Sequence, residues 1–288
     1  GTLLKKKKVN IRRFLPPRLF PPAIHINLRN HRKILVSDGR IGFIGGMNIG
    51  DRHLAQNKNN PSRVIDIHFH IEGPVVQQLE KAFMEDWAFC TGEQTATTFD
   101  TNGHEGNAVC RTIVDGPNED IDKLATILVG AISSAKHRIS IMNPYFLPSR
   151  EIISALQIAA LRGVETEIIL PYKNNLPFVG WATQNMLWEL LQKGVRVYYQ
   201  PPPFVHSKLF IVDDHYVQIG SANIDPRSLR LNFELVLEIY DKETAINLAE
   251  HIKKCRENSK EISLEEMDSR PIPIRIRDAV AWLFSPYL

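Results

Sequence analysis

The pattern that most restricts this chain is an octapeptide that occurs twice. His31-Arg32-Lys33-Ile34-Leu35-Val36-Ser37-Asp38 and His206-Ser207-Lys208-Leu209-Phe210-Ile211-Val212-Asp213 both read H-x-K-x4-D, 175 residues apart. The register persists beyond it, because Gly45-Gly46-Met47-Asn48 and Gly220-Ser221-Ala222-Asn223 keep the same offset. Five matched positions at one offset mark an internal repeat, so the fold must accommodate two copies of one structural unit.

His31 and Lys33, like His206 and Lys208, are two residues apart, so on a strand both side chains leave the same face. Asp38-Gly39 and Asp213-Asp214-His215 are turn signals. Strands over 41–44 and 216–219 follow, making each copy a predicted hairpin that ends in a small-residue loop. Short strands over 9–14 and 195–199 are expected before the motifs, each leading into prolines. Residues 64–71 alternate, with Ile65, Ile67, Phe69 and Ile71 on one face and Asp66, His68 and His70 on the other. Their counterpart, 232–240, puts Glu234 in a similar place. A helix is predicted after Pro74, with Val76, Leu79, Phe83 and Trp87 at helical spacing, and another over 244–253.

Between the motifs the pattern alternates: helix 118–135, strand 138–142, helix 149–162, strand 164–170, helix 181–193. The expected fold class is α/β, with two repeated lobes of mixed β-sheet flanked by helices, forming a pseudo-two-fold dimer in one chain. The first lobe is expected at 1–105, the second at 106–270 and a C-terminal tail at 271–288. From Cys110, 96 residues precede His206, whereas 30 precede His31. The first lobe is therefore expected to be incomplete at its N-terminus, with Gly1-Thr2-Leu3-Leu4 the end of a helix already under way.

Composition narrows the class. The 288 residues are 43% hydrophobic and 23% charged, enough for a large core and unlike a disordered chain. No apolar run approaches the roughly 20 residues of a membrane-spanning helix. Cys90, Cys110 and Cys255 are odd in number and lack metal-ligand spacing, which fits a reducing compartment. Residues 1–40 hold eleven Lys or Arg against Asp38 alone, while the whole chain is only +3. Lys5-Lys6-Lys7-Lys8 suits an anionic membrane or nucleic-acid phosphates, or is a solvated charge run. The start lacks the apolar stretch of a signal peptide.

Two equivalent histidines in one cleft suit phosphodiester exchange: one imidazole attacks phosphorus while the other, protonated, serves the leaving alkoxide. Lys33, Lys208, Asn48 and Asn223, with the backbone of the Gly45-Gly46 and Gly220-Ser221 loops, are candidates to hold the nonbridging oxygens. This chemistry requires no metal or other cofactor. Asp66 and Glu234 are candidates to fix the histidine tautomers. Asp38 and Asp213, in turns, are structural parts of the site. Asp66, His68 and His70 on one strand face, with His53 nearby in sequence, suggest a metal site, but no fourth ligand is apparent and the chemistry requires none. His25, His104, His137, His215 and His251 belong to no constellation. Phe178, Trp181 and Trp188 read as helix core ahead of an acyl groove or headgroup contact.

The duplicated H-x-K-x4-D-x6-G-x2-N resembles the phospholipase D superfamily. Within it, Asn30-His31-Arg32-Lys33, Gly45-Gly46-Met47-Asn48-Ile49-Gly50, Asn143-Pro144-Tyr145-Phe146-Leu147-Pro148, Leu170-Pro171-Tyr172-Lys173 and Arg230-Leu231-Asn232-Phe233-Glu234 resemble bacterial cardiolipin synthases, over about Lys8 to Leu288. The resemblance implies a phosphatidyltransferase joining two phosphatidylglycerols and releasing glycerol. It makes His31 the nucleophile, His206 the acid/base, and Lys33, Asn48, Lys208 and Asn223 phosphate ligands. It implies work on anionic phospholipid at the bacterial cytoplasmic membrane, without an obligatory protein partner, and anchor segments missing from this chain. A phospholipase D hydrolase or a phospholipase D-like nuclease is the alternative; the basic start would serve nucleic acid, but stacking aromatic platforms are not evident. A noncatalytic scaffold fits poorly with two complete sets of His, Lys and Asn.

Overall fold

The computed structural model describes residues 9–16, 28–93, 106–117 and 121–288. Expectations for residues 1–8, Pro17, His25 and His104 lie outside them. The first half runs β1 (Arg29–Asn30), β2 (Ile34–Ser37), β3 (Ile41–Gly45), β4 (Val64–Ile65), β5 (His68–Glu72) and α1 (Val75–Thr91). The second half continues β6 (Val109–Asp115), α2 (Lys123–Ser134), β7 (Arg138–Met142), α3 (Arg150–Leu161), β8 (Glu165–Pro171), α4 (Pro177–Leu191) and β9 (Arg196–Gln200). After these come β10 (Phe204–Val205), β11 (Leu209–Val212), β12 (Tyr216–Gly220), α5 (Pro226–Arg230) and β13 (Asn232–Tyr240). The chain closes with α6 (Lys242–Glu257), β14 (Lys260–Ile262), α7 (Leu264–Asp268) and α8 (Ile272–Leu283).

The fold is α/β, a mixed sheet flanked by helices. The large sheet has the order β1-β13-β12-β11-β7-β8-β9-β14, with β6 also on β13. Strands β7, β8 and β9 are parallel, because α3 and α4 carry the chain back between them. Ser149 precedes α3, Gly163 at φ +89° ends it, and Pro177 opens α4, four residues before the predicted start. Strands β11, β12 and β13 form an antiparallel meander, so the second motif sits on a hairpin as its spacing predicts.

The first motif's hairpin, β2 and β3, joins β5 in a separate three-stranded sheet that is antiparallel throughout, not mixed as expected. Among the described residues it has no α/β crossover that would align neighbours in parallel. Residues 9–14 are not a strand either. Side-chain docking holds them instead, with Phe14 against Phe89 and Phe233 and Arg12 over Trp87. The alternating run 64–71 is broken at Asp66-Ile67, because β4 pairs with β10 while β5 pairs with β3. Ile67, Phe69 and Ile71 therefore pack together on the second core, whereas Ile65, on the other side of the break, is exposed.

Two cores result. One lies where α2, α3 and α4 cover the large sheet, around Leu128, Leu156, Ile168, Met186 and Leu190. The other joins the halves: Ile44 and Leu79 are buried with Ile211, Ile219, Leu235 and Leu237. Gly42 permits that contact, since a Cβ there would lie 2.8 Å from Leu79 Cδ1. The 271–288 segment holds α8, whose Ala281 reaches the first core. Among the described residues, no helix is long and apolar enough to cross a membrane. The three cysteines are free thiols.

Asp213 is a brace, as its turn position implies. Its carboxylate accepts from the backbone N–H groups of His137 (2.7 Å), Arg138 (2.9 Å) and Lys136 (3.0 Å), tying the β11–β12 turn to the start of β7. Burial alone would raise its pKa, but these three donors outweigh that and hold it below the ordinary carboxylate value. Stability from this brace is present above the unfolded pKa and is lost as pH falls through the lower folded one. Asp213→Asn should therefore cost about 1.5–3 kcal/mol at neutral pH. The gap between the two proteins' unfolding midpoints should shrink at about pH 3; an equal gap at both pH values would contradict the assignment.

Candidate active site

The site forms where the halves exchange strands. Strand β1 adds in parallel to the start of β13, aligning Arg29 with Asn232 and Asn30 with Phe233, and the His31 N–H donates to Phe233 O at 2.9 Å. Strand β10 adds in parallel to β4, aligning Phe204 with Val64 and Val205 with Ile65, and the His206 N–H donates to Ile65 O at 2.7 Å. Each motif histidine is thus delivered by a ladder on the strand that carries the other half's carboxylate.

The side chains follow the ladders. His31 Nδ1 lies 2.9 Å from Glu234 Oε1, and His206 Nδ1 lies 2.9 Å from Asp66 Oδ2. With Nδ1–H donating to the carboxylate, each ring keeps its Nε2 lone pair for chemistry. The sequence nominated both carboxylates but not which histidine each serves; the pairing is crosswise. Arg32 reinforces the first ladder, donating from Nε to Glu234 O at 3.2 Å and from a terminal nitrogen to Asp86 at 2.7 Å.

The lysines turn back alike in both motifs. Lys33 Nζ donates to His31 O at 2.7 Å, and Lys208 Nζ to His206 O at 2.5 Å while lying 3.1 Å from His206 Nε2. The H-x-K spacing makes this possible, since side chains at i and i+2 share a face. Asn223 is buried and donates to Ser228 Oγ at 3.2 Å, with Oδ1 unpartnered among the described residues. Asn48 is half-buried.

Gly46 and Ser221, the expected backbone phosphate contacts, lie against the two carboxylates. A Cβ on Gly46 would sit 2.7 Å from Asp66 Oδ2, so only glycine leaves room for Asp66 to reach His206. At the equivalent position Ser221 Oγ donates to Glu234 Oε2 at 2.5 Å, and its N–H is spent on Leu235 O at 3.0 Å. Asp38 is exposed at its turn with φ +55°, accepting from Ser37 Oγ. Asp38 and Asp213 belong to the turns, not to the histidine cluster.

Burial sets the electrostatics. It lowers Lys33 to about 8 against the pull of Glu234 and Asp66, and Lys208 to about 7 against that of Asp66. His206 is pushed down by burial, then by Lys208 and Lys33. Asp66 is raised by burial to about 6, although Lys208 opposes this. Glu234 is held below its ordinary value, because the His31 hydrogen bond, the His31 charge and Ser221 outweigh its burial. The two halves are alike in geometry and unlike in exposure: the His31 side chain is 27% exposed, that of His206 8%.

Other neighbours were not singled out for this role by sequence. His53 is buried, its ring centroid 6.0 Å from that of His206 and edge-on to it; Tyr145 and Phe204 lie 5.8 and 6.1 Å from the same ring. Tyr145 falls in the Asn143-Pro144-Tyr145-Phe146 run, its one advance signal. Asp225, buried and raised to about 7 by burial, caps α5 by accepting from the Ser228 N–H; Asp225-Pro226 is a readable helix start. Among the described residues, no three His, Cys, Asp or Glu side chains converge as metal ligands, and His70 faces Glu72 at the surface. Of the predicted core aromatics, Trp181 packs beside the first core, whereas Phe178 and Trp188 are exposed.

Residues 128–256 match the family described as "Cardiolipin synthase, PLD-like domain". The chain is 37% identical to the major cardiolipin synthase ClsA of Bacillus subtilis over 280 residues, which is 96% of this chain and 58% of that protein. It is 34% identical to cardiolipin synthase A of Pseudomonas entomophila over 287 residues, 99% of this chain and 60% of that one. The chain therefore spans under two thirds of these relatives. The solved phosphatidylserine synthase of Haemophilus influenzae shares the fold, with a TM-score of 0.67, 16% identity and coverage of 91% of this chain and 71% of that one. Residues 128–256 are thus a phospholipase D-like domain. The chain as a whole is similar in sequence to cardiolipin synthases.

The lowered lysines carry a pH prediction. Protonated Lys33 and Lys208 attract an anionic phosphodiester, and a depressed pKa means the charge is lost at lower pH than for an exposed lysine. For a phosphodiester substrate, KM should rise as pH increases through about 7 to 8. Steady-state kinetics from pH 6 to 9 checks this; a flat KM across that range would contradict it.

Proposed function

We propose that the protein is a phosphatidyltransferase that joins two phosphatidylglycerols into cardiolipin and releases glycerol, through a phosphohistidine on His31. The observation that carries this reading is the crosswise histidine–carboxylate pair flanked by two lysines, an arrangement suited to phosphoryl exchange. The 37% identity to a cardiolipin synthase supports the choice of lipid. We read the architecture as two phospholipase D-like lobes about a pseudo-two-fold axis, residues 1–105 and 106–270, the first shorter than the second.

His31 is the nucleophile because it is the more open ring and its Nδ1–H is held by an ionised Glu234. Nε2 attacks phosphorus, the P–O bond to glycerol breaks, and His206 gives its proton to the departing oxygen. In the second half-reaction His206 takes the proton of the acceptor hydroxyl, whose oxygen displaces His31 from phosphorus. The acid role needs a proton on His206, which burial and the lysines disfavour. The substrate's phosphate anion offsets that charge, so substrate binding and protonation support each other. Lys33, Lys208, Asn48 and Asn223 hold the nonbridging oxygens as charge builds.

The acceptor decides between transfer and hydrolysis, since either oxygen nucleophile is activated by the same base; positioning of the lipid hydroxyl outcompetes bulk water. The natural gene product, given phosphatidylglycerol vesicles, should yield cardiolipin and glycerol in equal amounts, with phosphatidic acid minor. His31→Ala should abolish a labelled phosphoenzyme. Phosphatidic acid as the main product would make the enzyme a hydrolase, and cleavage of single-stranded DNA without lipid turnover would make it a nuclease.

A further inference from the structure

Helix α8 is fastened by one face and bare on the other. Its inner face places Asp278, fully buried, between Arg270 at 2.5 Å and Arg277 at 2.7 Å, with the Arg277 guanidinium 4.5 Å over the Trp181 ring. Ala281 is buried beside them. On the outer face Ile272 is 71% exposed, Ile276 59%, Val280 46% and Leu283 69%. At 100° per residue these four fall within an arc of about 80°. A stripe this narrow and this apolar is not a random scatter of surface residues.

The outer face also has a charge and an end. Its exposed residues include Arg275 and no carboxylate, since the segment's one acid, Asp278, is on the buried side. Trp282, in the last turn, is half-buried, and just past the helix Phe284 and Tyr287 are exposed. Apolar arc, flanking arginine and terminal aromatic rings are the composition of a helix that lies at a lipid headgroup boundary. A mainly apolar cavity of about 690 Å³ lies between the end of this helix and α5, lined by Leu147, Pro148, Leu229, Trp282 and Pro286 among others. Helix α5 leads directly into β13 and Glu234.

We propose that the outer face of α8 docks the protein on an anionic bilayer surface, with Ile272, Ile276, Val280 and Leu283 in the acyl boundary and Arg275 at the headgroups. The proposal deepens the lipid reading above, and its test is read by binding without turnover. Ile276→Glu/Leu283→Glu changes exposed positions only and leaves the Asp278 anchor intact, so the thermal midpoint should not move. Cosedimentation of the 288-residue chain with phosphatidylglycerol–phosphatidylcholine vesicles should weaken at least about tenfold in the variant. Turnover of a short-chain phosphatidylglycerol below its micellar concentration should stay unchanged. Equal vesicle binding by both proteins would overturn the proposal, as would loss of self-association with vesicle binding unchanged, which would make the face a contact between copies. Loss of vesicle binding in a protein that turns over no lipid would uphold the surface and remove the transferase reading.

Discussion

The arrangement on which the site depends is the exchange of short parallel ladders between the halves. Two residues of β1 on β13 and two of β10 on β4 are a small number of hydrogen bonds. They nonetheless fix each histidine backbone against the strand bearing its carboxylate, and the side-chain bonds follow at 2.9 Å in both cases. Neither half can form a complete histidine–carboxylate pair alone. The shared core of Ile44, Leu79, Ile219 and Leu235 holds the halves together, so packing away from the two histidines sets the geometry at them.

The pairs are not electrostatic copies. The Asp66–His206–Lys208 group is almost wholly buried, and its members move toward neutrality: the carboxyl up, the imidazole and ammonium down. The Glu234–His31 group keeps an ionised carboxylate under a more open ring. Desolvating that many charges is costly without a partner of opposite sign, and the phosphodiester of the proposed reaction would be such a partner. This unlikeness supports distinct roles for two rings that the sequence presents as equivalents.

Much of this was legible in sequence because the repeat encodes it. The H-x-K spacing put His31 with Lys33 and His206 with Lys208 before any fold was known, and the alternating α/β pattern fixed the parallel strands β7, β8 and β9. What escaped was long-range. The break at Asp66-Ile67 lies inside a clean apolar alternation, because a strand that changes sheets keeps its periodicity. The tasks of Gly46 and Ser221 depend on a carboxylate approaching from elsewhere, which spacing cannot reveal. His53 and Tyr145 reach His206 from segments whose paths no local pattern specifies, and Phe204 reaches it from β10, whose pairing with β4 is long-range. The outer face of α8 was hidden because 271–288 read as a tail, although Ile272, Ile276, Val280 and Leu283 carry a helical period.

The central claim is that each histidine is held by the carboxylate of the opposite half. Histidine ring 15N spectra of Glu234→Gln and Asp66→Asn test it most directly, because loss of a carboxylate acceptor changes the tautomer of the ring it serves. The account predicts that Glu234→Gln perturbs His31 and spares His206, and that Asp66→Asn does the reverse. Perturbation of His206 by Glu234→Gln and of His31 by Asp66→Asn would contradict it.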